Sequence, residues 1–295
     1  MKQSFTNSML MVLAAFTLLA TSCSKEKEEI TPTLPDSPPV EEETPSEPET
    51  APVESNETCR VTEITYLHEV YAPTPILLSY NEQGYVSGFN KAETNPDGTT
   101  VIYTSSLIYN AGNQLIKQEN YTDGKMNEYT TYEYQNGLKV SAKNYEYIEG
   151  SAEGNLLTTK TYQYDDSQRV SEISEDHAGS VRYVVTIRYT YDENDNVIKA
   201  LYYTNDMPDA KVIYSDYDDK PKPFSALKGL LLSDEDALSK NNVGRRVVYY
   251  SHEGTDVSFS WSFAYEYDSN GYPAKFTRIN DIRDKHVEVF TYECK

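Results

Sequence analysis

The sequence predicts an all-β fold, an antiparallel meander of about fourteen to sixteen strands forming a strongly curved sheet or barrel. Three observations carry that expectation. Tyrosine dominates the aromatic composition, with 27 residues against 8 Phe and 1 Trp. A Tyr-x-Tyr-Asp-like stamp followed by turn residues recurs along the chain. The segments between stamps alternate apolar and polar residues, the period-2 pattern of a strand with one buried face.

The N-terminus reads as a targeting segment. Lys2 precedes the apolar run "MLMVLAAFTLLA", Met9 to Ala20. That run is too short to span a bilayer and suits the hydrophobic region of a signal. "TSCSKEKEE" follows. A Cys after small residues at the end of such a run resembles a bacterial lipobox, which makes Cys23 the lipidated residue and residues 1–22 the signal peptide. Ala20 stands where the strict pattern has Leu or Val, so the match is relaxed. Residues 23–57 then form a Pro/Glu-rich tether without an aromatic residue, unable to bury enough apolar surface to offset its ordering entropy.

Residues 58–295 read as one Tyr-rich repeat β domain. The stamp appears as "LSYNEQGYVSGF", "LIYNAGNQLIKQ", "YEYQNGLKVSA", "YQYDDSQRVSEI", "YTYDENDNVIKA" and "YEYDSNGYPAKF". Its anchors are Tyr80, Tyr109, Tyr134, Tyr164, Tyr191 and Tyr267, separated by 29, 25, 30, 27 and 76 residues. A period in the twenties signals a repeat architecture. Within one unit a strand ends at Tyr, and Asp or Asn bonds its own backbone in a turn. A Gly, Asn or Asp then tolerates positive φ, and a second strand follows. In "DVSFSWSFAYEYD", Phe259, Trp261, Phe263, Tyr265 and Tyr267 share a face opposite Ser258, Ser260, Ser262 and Glu266.

The long last gap marks an interruption from about Asn205 to Asn242. Pro221 and Pro223 precede an apolar segment, and Ser233 before Asp234, Glu235 and Asp236 reads as a helix cap with acids in the first turn. A short helical insertion is expected near 220–241.

Cys59 opens the folded domain and Cys294 is the penultimate residue. A bridge between them would join the first strand to the last and close or pin the sheet. Two free thiols are the alternative.

These units resemble the YD repeats of large bacterial surface and toxin-shell proteins. With the lipobox and the acidic residues behind it, the chain resembles Bacteroidetes surface lipoproteins of a domain-of-unknown-function family with a porin-like β-meander fold. "YDDKPKPF" (Tyr217 to Phe224) matches that family too. The resemblance covers nearly all of residues 59 to 295. It implies an outer-membrane, lipid-anchored protein facing the exterior, and no established activity. In two places the pattern departs: "YEYQNGLKV" is shorter by about a residue, and "YDDSQRV" lacks the Gly. Charges on both strand faces near the turns argue against a membrane-spanning barrel.

Composition excludes one class of partner. A net charge of −21 suits no nucleic-acid binder, because phosphate recognition needs clustered Lys and Arg. His68, His177, His252 and His286 show no metal-ligand spacing, and no nucleophile elbow or phosphate loop is present. "DENDN" (Asp192 to Asn196) lacks the Gly and distal Glu of a calcium loop and reads as a hairpin turn. No cofactor or metal is expected. Aromatic residues edged with Asp, Asn, Ser and Thr suit sugar recognition. Trp261, Tyr265, Tyr202 and Tyr203 are the candidates, with core packing as the competing role. Tyr202 and Tyr203 are adjacent, so one of them must face away from the core.

The function expected is a non-enzymatic binding module for extracellular glycan or protein, with lipid as its only membrane contact. Its rivals are a structural or adhesive spacer and a glycan hydrolase using a carboxylate pair. A large solvent-open pocket with exposed rings would favour binding, a fully packed interior the spacer, and facing carboxyls with one raised pKa the hydrolase.

Overall fold

A computed structural model describes residues 59–67, 73–95, 97–151, 153–179, 181–220, 222, 238–254, 256–281 and 285–294. Cys23, the signal peptide and the tether lie outside the described residues, as does Ser233 with most of the expected helical insertion. No helix occurs among the described residues.

The domain is a meander of sixteen strands. In chain order they are β1 (Cys59–Leu67), β2 (Thr74–Tyr80), β3 (Val86–Thr94), β4 (Thr100–Tyr109), β5 (Leu115–Thr122), β6 (Lys125–Gln135), β7 (Leu138–Glu146) and β8 (Asn155–Tyr164). They continue as β9 (Val170–His177), β10 (Tyr183–Tyr191), β11 (Val197–Thr204), β12 (Met207–Ser215), β13 (Arg245–Tyr249), β14 (Val257–Tyr267), β15 (Pro273–Asn280) and β16 (Lys285–Cys294). Each strand pairs antiparallel with its chain neighbours, and β16 pairs with β1, so the sheet closes into a barrel without a free edge. Cys59 stands opposite Cys294 at that seam, and their sulfurs are bonded.

The repeat turn has one construction. Asp165 Oδ1 accepts from the backbone N–H of Ser167 and Arg169. Asn81, Asn110, Asp192 and Asp268 do the same for residues two and four positions on. Three residues after each of these the backbone turns left-handed, at Gly84, Asn113, Gln168, Asp195 and Gly271. The missing Gly of "YDDSQRV" is therefore a real departure, with Gln168 holding φ 62°. The short "YEYQNGLKV" unit uses Asn136 and Gly137, both left-handed, as a two-residue hairpin turn. "DENDN" is one of the repeat turns, its Asp192 Oδ1 occupied by backbone N–H groups.

Beyond each turn the register slips. The irregularity falls at Tyr80, Tyr109, Tyr134, Tyr164, Tyr191 and Tyr267, the six anchors. This bulge adds a residue to the following strand and flips its facing. The inward residues there are spaced by three: Val86 and Phe89, Leu115 and Gln118, Val197 and Ala200, all buried.

The interruption starts later than the expected Asn205. Asn205 and Asp206 are both left-handed and make a tight hairpin, and β12 follows with Val212 and Tyr214 in the core. Only from Asp216 does the chain leave the sheet. Residues returning at 238–242 dock on the Asp192–Asn196 turn. Ser239 Oγ accepts from Val197 N–H at 3.0 Å, and Asn241 N–H donates to Asn196 Oδ1 at 2.8 Å.

Candidate functional site

The inward face has two characters. On β9 to β13 it is apolar, with Ile173, Ile187, Tyr189, Val197, Ala200, Tyr202, Val212, Tyr214 and Val248 in one buried cluster. Phe259, Trp261 and Phe263 of β14 pack against it. On β4 to β9 the same face is polar. Ser105 Oγ and Gln118 Nε2 both donate to Asn120 Oδ1, and Asn144 Nδ2 donates to Thr130 Oγ1 at 3.1 Å. Tyr132 donates its hydroxyl to Gln118 Oε1 at 3.2 Å. Lys160 pairs with Glu175, and His177 Nε2 lies 3.5 Å from the same carboxylate. These residues are half-buried, apart from the buried Ser105 and Gln118.

Glu128 belongs to this polar strip. Its carboxyl is pushed above the usual range, first by burial and then by Glu146, against the lowering effect of Asn144. Glu146 is its partner across the β6–β7 register and accepts from Asn155 Nδ2 at 3.3 Å.

One end of the barrel is ringed by tyrosines. The hydroxyls of Tyr109, Tyr164 and Tyr191 each donate to a backbone carbonyl at 2.7 Å, on Val86, Lys139 and Val170. Tyr80 donates to Val61, Tyr134 to Leu115, Tyr217 to Val197 and Tyr292 to Pro273. Each acceptor lies within the first three residues of a strand, 19 to 25 residues earlier in the chain. Burial pushes Tyr80 and Tyr109 up to about 12, and raises Tyr191 and Tyr292 as well. Tyr217 and Tyr292 are anchors that the motif search missed. Their spacings of 26 from Tyr191 and 25 from Tyr267 were the available signal. Tyr267 instead donates to the Asp218 carboxylate and accepts from Asn242 Nδ2, so the insertion supplies its partners.

The sequence-derived aromatic candidates do not form one site. Trp261 faces inward, 4.9 Å from the Arg246 guanidinium, 5.9 Å from that of Arg278 and edge-on to Phe259 at 4.3 Å. Tyr265 contacts Phe276 at 5.2 Å and Tyr267 at 6.3 Å. Tyr202 is a correction: with 7% of its surface exposed it is core, because β11 turns it toward the apolar cluster. Tyr203 faces outward, under Arg188 at 4.6 Å and edge-on to His252 at 4.6 Å. The polar strip went unnoticed in sequence. Its signal is that "LIKQEN", "MNEYTTYEY" and "SAKNYEY" place Gln, Asn, Glu and Thr where β10 and β14 place apolar groups.

The outward face carries ion pairs between neighbouring strands: Arg188–Glu172 at 2.7 Å, Lys143–Glu133 at 3.0 Å, and Arg60–Glu293. A lipid-facing barrel wall is apolar instead. The small hollow at Gly88, about 190 Å³, has no ionisable residue among its lining groups.

This architecture defines a sixteen-stranded, meander-built β-barrel. Among solved structures it is similar to a porin-like protein from Bacteroides uniformis ATCC 8492, at 13% identity over 82% of this chain and 99% of that one, with a TM-score of 0.54. A porin-like protein from Bacteroides vulgatus ATCC 8482 is similar over 79% of this chain and 98% of that one, at 11% identity and a TM-score of 0.50. At such identities the likeness shows the fold alone. No family model and no curated protein matches the chain.

Proposed function

We infer that this chain is a non-enzymatic binding protein, displayed on the outer membrane through a lipid on Cys23, that recognises an extracellular glycan or protein. The polar strip carries this reading. A barrel built only as a spacer fills its interior with apolar side chains. Here Asn120, Thr130, Asn144 and Lys160 sit half-buried on the inward face beside Tyr132 and Tyr162. Amides, hydroxyls and rings together are what hydroxyl-rich ligands require. The ion-paired outward face supports a domain standing in water, held to the membrane by lipid alone. Porin-like relatives in Bacteroides are consistent with that address.

The test is a binding screen of the unit starting at Glu57 against plant polysaccharides, mucin glycans and matrix proteins. Saturable, competable binding that is lost in Asn144→Ala and kept in Tyr203→Ala supports the reading. Silence across the panel leaves the spacer.

One observation favours a second reading, a glycan hydrolase. Glu128 and Glu146 face each other across two strands, and burial favours the protonated form of Glu128. Release of reducing ends by the wild type, abolished in Glu128→Gln, would select it.

A further inference from the structure

The carbonyls that accept the ring of tyrosine hydroxyls belong to residues at one repeated position. Val61, Val86, Leu115, Val170, Val197 and Pro273 put an apolar side chain there, and Val61, Val86 and Val197 have no exposed surface. On β7 the same position holds Lys139.

The Lys139 ammonium lies 4.1 Å from the ring centre of Tyr162 and 5.8 Å from that of Tyr132. Tyr134 on β6 and Lys160 and Tyr164 on β8 are the other titratable groups facing it from the adjoining strands. Glu175 on β9 is engaged by Lys160. Among the described residues no carboxylate pairs with Lys139. Burial and then the Lys160 charge both disfavour its ammonium form, and the amine is pulled down to about 7. At neutral pH far more of it is unprotonated than of an ordinary lysine near pKa 10.4.

We propose that Lys139 is a nucleophilic amine that captures small aldehydes inside the barrel, between the rings of Tyr132 and Tyr162, as a reversible imine. Desolvation and a neighbouring cation are the two devices that activate a lysine for such chemistry. The nitrogen lone pair attacks the carbonyl carbon and the carbon–oxygen π bond opens to a carbinolamine. The oxygen then leaves as water, taking up the two protons that nitrogen gives up, and a carbon–nitrogen double bond remains. No electrons are exchanged and no cofactor takes part. The flanking rings favour a planar, aromatic aldehyde. The proposal stands apart from the binding reading and survives its failure.

Benzaldehyde with sodium cyanoborohydride traps the imine, and peptide mapping of the full chain reads benzylation at each lysine. Lys143 is the internal reference, partly exposed and held charged by Glu133. At pH 7 Lys139 reacts at least about tenfold faster than Lys143. Its rate levels off above neutrality, while the rate at Lys143 keeps rising toward pH 10. In Lys160→Met the like charge is gone and Glu175 is released, so labelling of Lys139 at pH 7 slows severalfold. Equal rates at the two lysines, labelling of Lys139 only in urea, or a Lys139 rate indifferent to the Lys160 change would each overturn the proposal.

Discussion

The hydroxyl of Tyr191 donates to the carbonyl oxygen of Val170 at 2.7 Å, tying the end of β10 to the start of β9. Six further tyrosines make the same bond around the barrel. Val170 opens its strand beside a bulge, where the ladder is disrupted and its carbonyl would otherwise be left without a partner. Tyr191→Phe keeps the ring and removes the donor. The expected loss is about 1–2 kcal/mol, read as a lower urea midpoint at unchanged slope. Tyr203→Phe on the outward face is the control and should change the midpoint little.

Those buried hydroxyls make the barrel sensitive to alkali. Tyr80 and Tyr109 titrate at about 12 in the folded chain and near 10 in the unfolded chain. A raised folded value means that the stabilisation is complete below about pH 10 and is lost as pH rises through about 12. Spectrophotometric titration should show exposed tyrosines ionising first. The anchor set should follow together with loss of the β-sheet signal. A single transition near pH 10 with the fold intact would contradict this.

Gln168 occupies a left-handed position that Gly fills in two other repeat turns, at φ 62°. A side chain at such a φ costs roughly 1 kcal/mol. Gln168→Gly should therefore stabilise the domain by about 0.5–1 kcal/mol, the strain relief being partly offset by the freer unfolded chain. Gly84→Ala, at φ 80°, should destabilise it by a similar amount. Thermal melts of both variants measure the pair.

Cys59 and Cys294 close a loop of 235 residues. Constraint of the unfolded chain over so long a loop is worth on the order of 3–5 kcal/mol. The double variant Cys59→Ser, Cys294→Ser should melt well below the wild type. It should lose protection of β1 and β16 amides first, as seen by hydrogen exchange. An unchanged melt would mean that the β1–β16 ladder alone secures the seam.

Lys139 occupies an apolar position at an energetic cost while it is protonated. Its folded pKa is below its unfolded value, so stability rises with pH between about 7 and 10.4. Lys139→Met should raise stability at pH 6 by about 1–2 kcal/mol, and by much less at pH 10. Denaturant midpoints at the two pH values test the sign.

The repeat turn was legible in the sequence because its chemistry is local. An Asx side chain bonds N–H groups two and four residues on, and a left-handed residue follows. Strand count and the shared face of Phe259, Trp261 and Phe263 were legible for the same reason, since alternation needs only the chain's own pleat. The bulges were not. After each anchor the inward residues step by three, as in Val86 and Phe89, and simple alternation misassigns the second of them. Asn205–Asp206 was read as the start of an interruption because no anchor stamp was recognised between Tyr191 and Tyr267, whereas the two residues form a tight turn into β12.

By itself the sequence determined the meander, its turn chemistry and the tyrosines that anchor each turn, all set by interactions within a few residues. Only the tertiary structure decided that the sheet closes, that each anchor reaches a carbonyl 19 to 25 residues back, and that Tyr202 is core. It also decided that Lys139 stands between two rings with no acid beside it among the described residues. Those outcomes depend on which strands lie side by side and on the water that their contact removes, and neither is written in the spacing of residues along one strand.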